Sequence, residues 1–197
     1  MSRGATAPED VPWGLRIEVG RPSRTVRHVL LGADADTART LVGTVTEPAT
    51  CVKAFLPPAD MEPWFPAGWE PTEPCFLMAV DLRPARVRTP DGYTAAVETA
   101  DGVARVRVVA AGGELAARGQ AGLTDTACVF DQIITEPAHR RRGLGTAVMA
   151  ALTRAALERG VSEGVLGATV QGRALYEAIG WKALAPLSGF TYRPVTS

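Results

Sequence analysis

The stretch His139-Arg140-Arg141-Arg142-Gly143-Leu144-Gly145-Thr146 stands between an apolar run, Cys128 to Thr135, and an alanine-rich stretch that reaches Gly160. A strand, then a glycine-rich turn, then a helix start is the order in which a chain builds a seat for a phosphate. Glycines let the backbone come close, and the first helical turn offers N–H groups without partners. The helix macrodipole adds partial positive charge at the same place. A ligand carrying a pyrophosphate is expected at this turn.

Composition narrows the rest. At 197 residues the chain can bury roughly 70% of its unfolded surface, enough for one core with appended elements or two small lobes. Lys plus Arg and Asp plus Glu balance at 21 each, and the basic residues are scattered except at 139–142. Charge therefore predicts no polyanion-binding face, and nucleic acid is not an expected partner. Cys51, Cys75 and Cys128 form no C-x-x-C pair, and two distant histidines give no metal-ligand cluster. No metal and a reduced cytoplasm are expected. No basic patch followed by an apolar core opens the chain, and no run of apolar residues is long enough to span a bilayer, so neither secretion nor a membrane is expected.

Organisation follows from patterning. Residues 1–23 contain three prolines and little apolar periodicity, and read as a partly ordered, flexible arm. Residues 24–85 read as an α/β segment expected to form the acceptor side: a strand near Val26 to Leu31, a helix near Asp36 to Val45, and a strand near Cys51 to Phe55. Six prolines between Pro57 and Pro74 leave room only for a short helix, near Ala59 to Trp64. Residues 86–197 are clearer. Tyr93 to Glu98 and Val103 to Ala110 alternate as strands around an Asp101-Gly102 hairpin signal, and Glu114–Gln120 follows a Gly112-Gly113 turn. After the strand Ala127 to Thr135, Leu144, Val148, Leu152 and Ala155 form one helical stripe ending at Gly160. A strand over Gly164 to Thr169, a helix over 171–179, and a final pair at Trp181–Leu184 and Phe190–Arg193 complete the pattern.

The glycine turn is neither G-x-G-x-x-G nor G-x-x-x-x-G-K-[ST], since no third glycine and no lysine follow. What remains is Arg-x-x-Gly-x-Gly. It resembles the acyl-CoA-binding signature of the GNAT acetyltransferases, and Leu175-Tyr176-Glu177-Ala178-Ile179-Gly180-Trp181 resembles that family's Leu-Tyr-Glu-x-x-Gly-[Phe/Trp] segment. The two stand in the family's order, with Gly145 and Tyr176 separated by 31 positions (176 − 145). The resemblance covers about residues 90–197. It implies an α+β fold with a mixed, mostly antiparallel sheet flanked by helices, here extended by the N-terminal α/β segment. One departure is plain: the family places two helices between its first two strands, where Glu98 and Val103 leave room for a turn alone.

The resemblance implies a cytoplasmic, acetyl-CoA-dependent N-acetyltransferase that acts on a primary amine, of a small molecule ahead of a protein, by direct attack in a ternary complex. The backbone of Ile133, Ile134 and Thr135 would hold the pantetheine arm and the oxyanion. Arg140, Arg141, Arg142, Gly143, Leu144, Gly145 and Thr146 would seat the diphosphate. Thr169 stands where many members carry an Asn that binds the pantetheine or the helix end. Tyr176 reads as the general acid, since a phenol is protonated at neutral pH and can donate to the leaving thiolate, or else as a tyrosine packed by its ring that only touches CoA.

Asp131 is the one acid inside its strand and reads either as the general base or as a structural carboxylate. By alternation it shares a face with Val129, Ile133 and Thr135. His139 reads as facing solvent or capping the loop. Trp64, Phe65 and Trp69 read either as lining for the acceptor or as core packing. No cysteine lies in the motifs, although Cys128 keeps an acyl-enzyme relay open. The competing class is a non-catalytic acyl-CoA-binding sensor or interaction module, favoured by the missing helix pair. The resemblance also leaves a homodimer open.

Overall fold

The computed structural model describes residues 7–32, 34–85 and 88–194. The chain forms two compact units, one of residues 78–183 and one combining the chain before Met78 with that from Leu184 onward. The sequence boundary at 85/86 differs from this division chiefly at the C-terminal end. There, the last strand contributes to the unit that the chain began.

That unit contains β1 (Glu9–Val11), β2 (Gly14–Arg21), β3 (Arg24–Leu30), α1 (Ala35–Thr44), β4 (Cys51–Ala54), α2 (Pro58–Met61), β5 (Trp69–Pro71) and most of β12 (Lys182–Tyr192). The strand order is β1-β2-β3-β4-β12, with β5 also on β12. Asp34 caps α1 by accepting the Thr37 N–H at 2.8 Å. Leu41 and Ala38 of α1 then pack with Leu30, Val52, Ala54, Met61 and Phe190 as a buried core. Two differences from the sequence reading stand out. Within 9–21, expected to be part of an arm, the chain forms two strands, Glu9–Val11 and Gly14–Arg21, because Leu15 and Ile17 are held by register on Val29 and Arg27 of β3. The expected final pair is one strand, since β12 runs on through Pro186 before pairing with β4 at Ser188–Thr191. Proline's fixed φ suits an extended chain wherever its nitrogen owes no hydrogen bond.

The other unit, called the α3 unit below, carries β7 (Tyr93–Ala100), β8 (Val103–Ala110), β9 (Leu115–Leu123), β10 (Ala127–Thr135), α3 (Leu144–Leu157), β11 (Glu163–Thr169) and α4 (Val170–Ala178), with β6 (Cys75–Asp81) ending in it. Its strands run β6-β11-β10-β9-β8-β7. Asp101 and Gly102, at φ +51° and +69°, make the tight turn from β7 to β8. The parallel pair β10 and β11 is joined through α3, whose Leu144, Val148, Leu152 and Ala155 are buried as the stripe requires. On the sheet they meet Val106, Val108, Ala117 and Gly119, which alternation turns to one face. Arg105, Arg107, Arg118 and Gln120 therefore lie on the opposite face.

Candidate functional site

β10 is irregular at the point where the sequence placed the chemistry. Its register on β9 shifts between Asp131 and Ile134, and Gln132 adopts φ +55°. Two residues, Gln132 and Ile133, thus oppose the single Gly119, which is a β-bulge. The bulge corrects the alternation argument. Asp131 pairs with Gln120 and Ile134 with Arg118, so Asp131 shares its face with Val129 and Ile134. Ile133 and Thr135 point to the α3 face instead. A Cβ built on Gly119 would stand 2.6 Å from Ile133 Cδ1 and from Val148 Cγ1. The absence of a side chain there lets Ile133 lie under the helix.

On its other side β10 pairs in parallel with β11 from Ala127–Glu163 to Phe130–Leu166. Both strands continue, to Thr135 and Thr169, beyond the last paired residues. Ile133, Ile134 and Thr135 therefore have no pairing partner on β11 among the described residues. Gln132 N–H is already taken by its neighbour's carboxylate, Asp131 Oδ1, at 2.8 Å.

The turn after β10 passes through a short 3-10 segment, Pro137–His139, and brings Arg141 to φ +61° and Gly143 to φ +78°. Left-handed Gly143 is the N-cap residue of α3, and among the described residues no side chain caps the helix. Ala147 N–H makes the first backbone bond, to Gly143 O at 3.0 Å, so the amides of Leu144, Gly145 and Thr146 lie outside the helical ladder. Arg142 donates to the Tyr93 hydroxyl at 2.9 Å, and Arg140 Nε to Thr135 O at 3.3 Å. His139 does not face solvent: its side chain is 13% exposed. Its ring lies edge-on to Tyr93, with Nδ1 3.1 Å from the Tyr93 hydroxyl. A hollow of about 520 Å³ lined by Arg88, Pro90, Asp91, Gly143, Thr146 and Ala147 lies beside the helix start. Arg88 and Tyr93 carry no local motif, and only their spatial approach to 139–146 marks them.

Tyr176 is buried in α4, with Gly172 leaving room for its ring. Burial raises its pKa above the ordinary 10.0, and the Asp131 charge raises it further. Asp131 and Tyr176, 45 positions apart (176 − 131), are thus electrostatic neighbours. Thr169 is the N-cap of α4 and accepts the Gly172 N–H at 3.1 Å. Its hydroxyl therefore serves the helix end. Cys128 is buried, its thiol pushed up to about 12 by desolvation, which leaves almost no thiolate at neutral pH.

Trp64, Phe65 and Trp69 lie in the other unit, packed against its core. Phe65 stacks on Phe190 at 4.2 Å between ring centroids, and Trp69 contacts Tyr192 at 5.4 Å. These are the contacts of core packing.

Residues 100–183 match the family model of the GNAT acetyltransferase domain. No functionally curated protein matches the chain. Among solved structures, a GCN5-related N-acetyltransferase from Kribbella flavida is similar at TM-score 0.67 and 16% identity, covering 96% of this chain and 91% of its own. A putative GNAT acetyltransferase from Novosphingobium aromaticivorans gives TM-score 0.63 and 17% identity, over 95% and 92% of the two chains. A GCN5-related N-acetyltransferase-like protein from Streptococcus suis gives 0.59 and 13%, over 93% and 85%. At these identities the likeness speaks for the fold.

Proposed function

We propose, from the premise that residues 100–183 carry a GNAT acetyltransferase domain, that this chain is an acetyl-CoA-dependent N-acetyltransferase acting on a primary amine of a small molecule by direct transfer in a ternary complex. One observation carries the reading. Pairing between β10 and β11 ends at Phe130 and Leu166 while both strands run on, and Thr135 at the end of β10 lies beside Gly145 in the α3 start that follows left-handed Gly143, so an extended thiol-bearing arm and its diphosphate have adjoining places. The residues present fit that donor.

The chain's own groups divide the work. The amides of Leu144, Gly145 and Thr146, with the α3 macrodipole, bind the diphosphate, and Arg140 and Arg142 add charge. Peptide N–H groups at Ile133 to Thr135 are fixed in the strand before negative charge develops on the reacting carbonyl oxygen. Tyr176 donates its phenolic proton to the departing sulfur, and its raised pKa keeps that proton in place at neutral pH. Asp131 accepts a proton from the acceptor's ammonium, directly or through water, so that the neutral amine attacks. The high pKa of Cys128 argues against an acyl-enzyme relay.

Calorimetric titration with acetyl-CoA tests the donor site, using Gly143→Asp beside Gly143→Asn. Both side chains tolerate a left-handed backbone and differ in charge. Asp should weaken binding roughly tenfold relative to Asn through repulsion of the diphosphate. Equal affinities in the two variants, or no binding by the unmodified chain, overturn the donor assignment. Binding without CoA release across a panel of amines would instead mark a sensor.

A further inference from the structure

The sheet face of the α3 unit that α3 leaves uncovered is organised in two cross-strand rows. Pairing sets Glu98 opposite Arg105, Arg105 opposite Gln120, and Gln120 opposite Asp131. The next row runs Ala96, Arg107, Arg118, Ile134. Arg107 and Arg118 thus face one another directly, an arrangement that repels unless something negative lies between them. Arg105, Arg107 and Arg118 are all exposed, and among the described residues none of them makes a hydrogen bond or ion pair. Arg39, Arg154 and Arg193, also exposed, each hold a carboxylate. The three unpaired guanidiniums line a hollow of about 600 Å³ that extends to Gln132 at the bulge. Asp131, which stands at that end of its row, is the electrostatic neighbour of Tyr176.

We infer that this hollow is the acceptor site and that it selects amines bearing a carboxylate or phosphate group, held by Arg105, Arg107 and Arg118, with the amine directed toward Asp131. The inference rests on the acetyltransferase reading and names its substrate class. Excess positive charge supplies the argument: three cations on β8 and β9 line the hollow against one carboxylate, Glu98 on β7, while Asp131 stands just beyond the lining, next to Gln132 at the β10 end of the row. Neighbouring strands are about 4.8 Å apart, so the two charges of the acceptor should lie roughly 5–10 Å from one another. An alkyl monoamine would leave the arginines uncompensated, and a diamine would be repelled by them. Guanidinium forks bind carboxylate and phosphate alike, so both belong in the test.

The probes are γ-aminobutyrate and O-phosphoethanolamine, compared with butylamine, ethanolamine and putrescine. Binding is read by calorimetry with and without CoA, and transfer by CoA release. The anionic amines should bind about tenfold or more tightly than their neutral counterparts, and whichever of the two leads identifies the group. In Arg107→Gln/Arg118→Gln that preference should disappear while acetyl-CoA affinity stays unchanged. An Arg159→Gln control, remote on the surface, should keep it. Because the two arginines are exposed and mutually repelling, the double variant should melt no lower than the parent. Preference for neutral or cationic amines, or an anion preference that survives the double variant, overturns the proposal. Failure of acetyl-CoA binding with the anion preference intact sinks the acetyltransferase reading and leaves the anion site standing.

Discussion

Tyr176 shows how much one side chain takes from its surroundings. Its ring is buried, so the phenolate form is disfavoured, and Asp131 disfavours it again. An acid whose folded pKa is raised stays protonated to higher pH. If Tyr176 protonates the leaving sulfur, the descending limb of kcat should lie above pH 10, and Tyr176→Phe should remove that limb and lower kcat by about a hundredfold. Acetyl-CoA affinity by calorimetry should change little. An unchanged kcat in the variant would remove Tyr176 as the acid. Its place in the chain was legible because Leu175 to Trp181 is a contiguous segment. The face of Asp131 was not, because the bulge at Gln132 carries no glycine or asparagine to announce its left-handed backbone. Alternation was off by one residue from that point. Tyr93 and His139, 46 positions apart, meet only through the fold.

At the scale of elements, the bulge in β10 and the missing side chain at Gly119 are one device. The extra residue turns Ile133 under α3, and Gly119 makes the space it enters. Gly119→Ala would set a methyl 2.6 Å from both Ile133 Cδ1 and Val148 Cγ1. It should destabilise by about 1–3 kcal/mol, seen as a melting temperature lower by about 2–4 °C per kcal/mol. An unchanged melting temperature would mean that the helix rides free of the strand there. Hairpins announced by their turn residues were legible, Asp101-Gly102 above all. The hairpin of β2 and β3 was not: Leu15 and Ile17 do alternate with Arg16 and Glu18, but Pro8, Pro12 and Pro22 around them suggested an arm. Only pairing with β3 gives that short alternation its meaning.

For the molecule as a whole, the decisive fact is that one unit is built from both ends of the chain. β12 lies between β4 and β5 as an antiparallel partner of each, and its Phe190 enters the core with Leu41 and Val52. A chain stopped after Ala183 would lack that strand and the stacking partner of Phe65. Its remaining strands should fail to pack. Trp13, Trp64 and Trp69 report on this unit, while Trp181 belongs to the other. Tryptophan emission of the shortened chain should therefore shift to the red, with most of the near-ultraviolet dichroism lost. A native-like spectrum would show that the strand is dispensable.

The Ser188 hydroxyl donates to the Leu56 carbonyl across 132 positions of chain. On a ribosome adding about 5–20 residues per second, the β4 edge is made roughly ten seconds before the strand that covers it. Through that interval the outer edge of β4 and the aromatics after it are finished but unpartnered, a stretch that invites strand addition from any neighbouring nascent chain. A chaperone that shields this edge would therefore be needed early in synthesis, and released late.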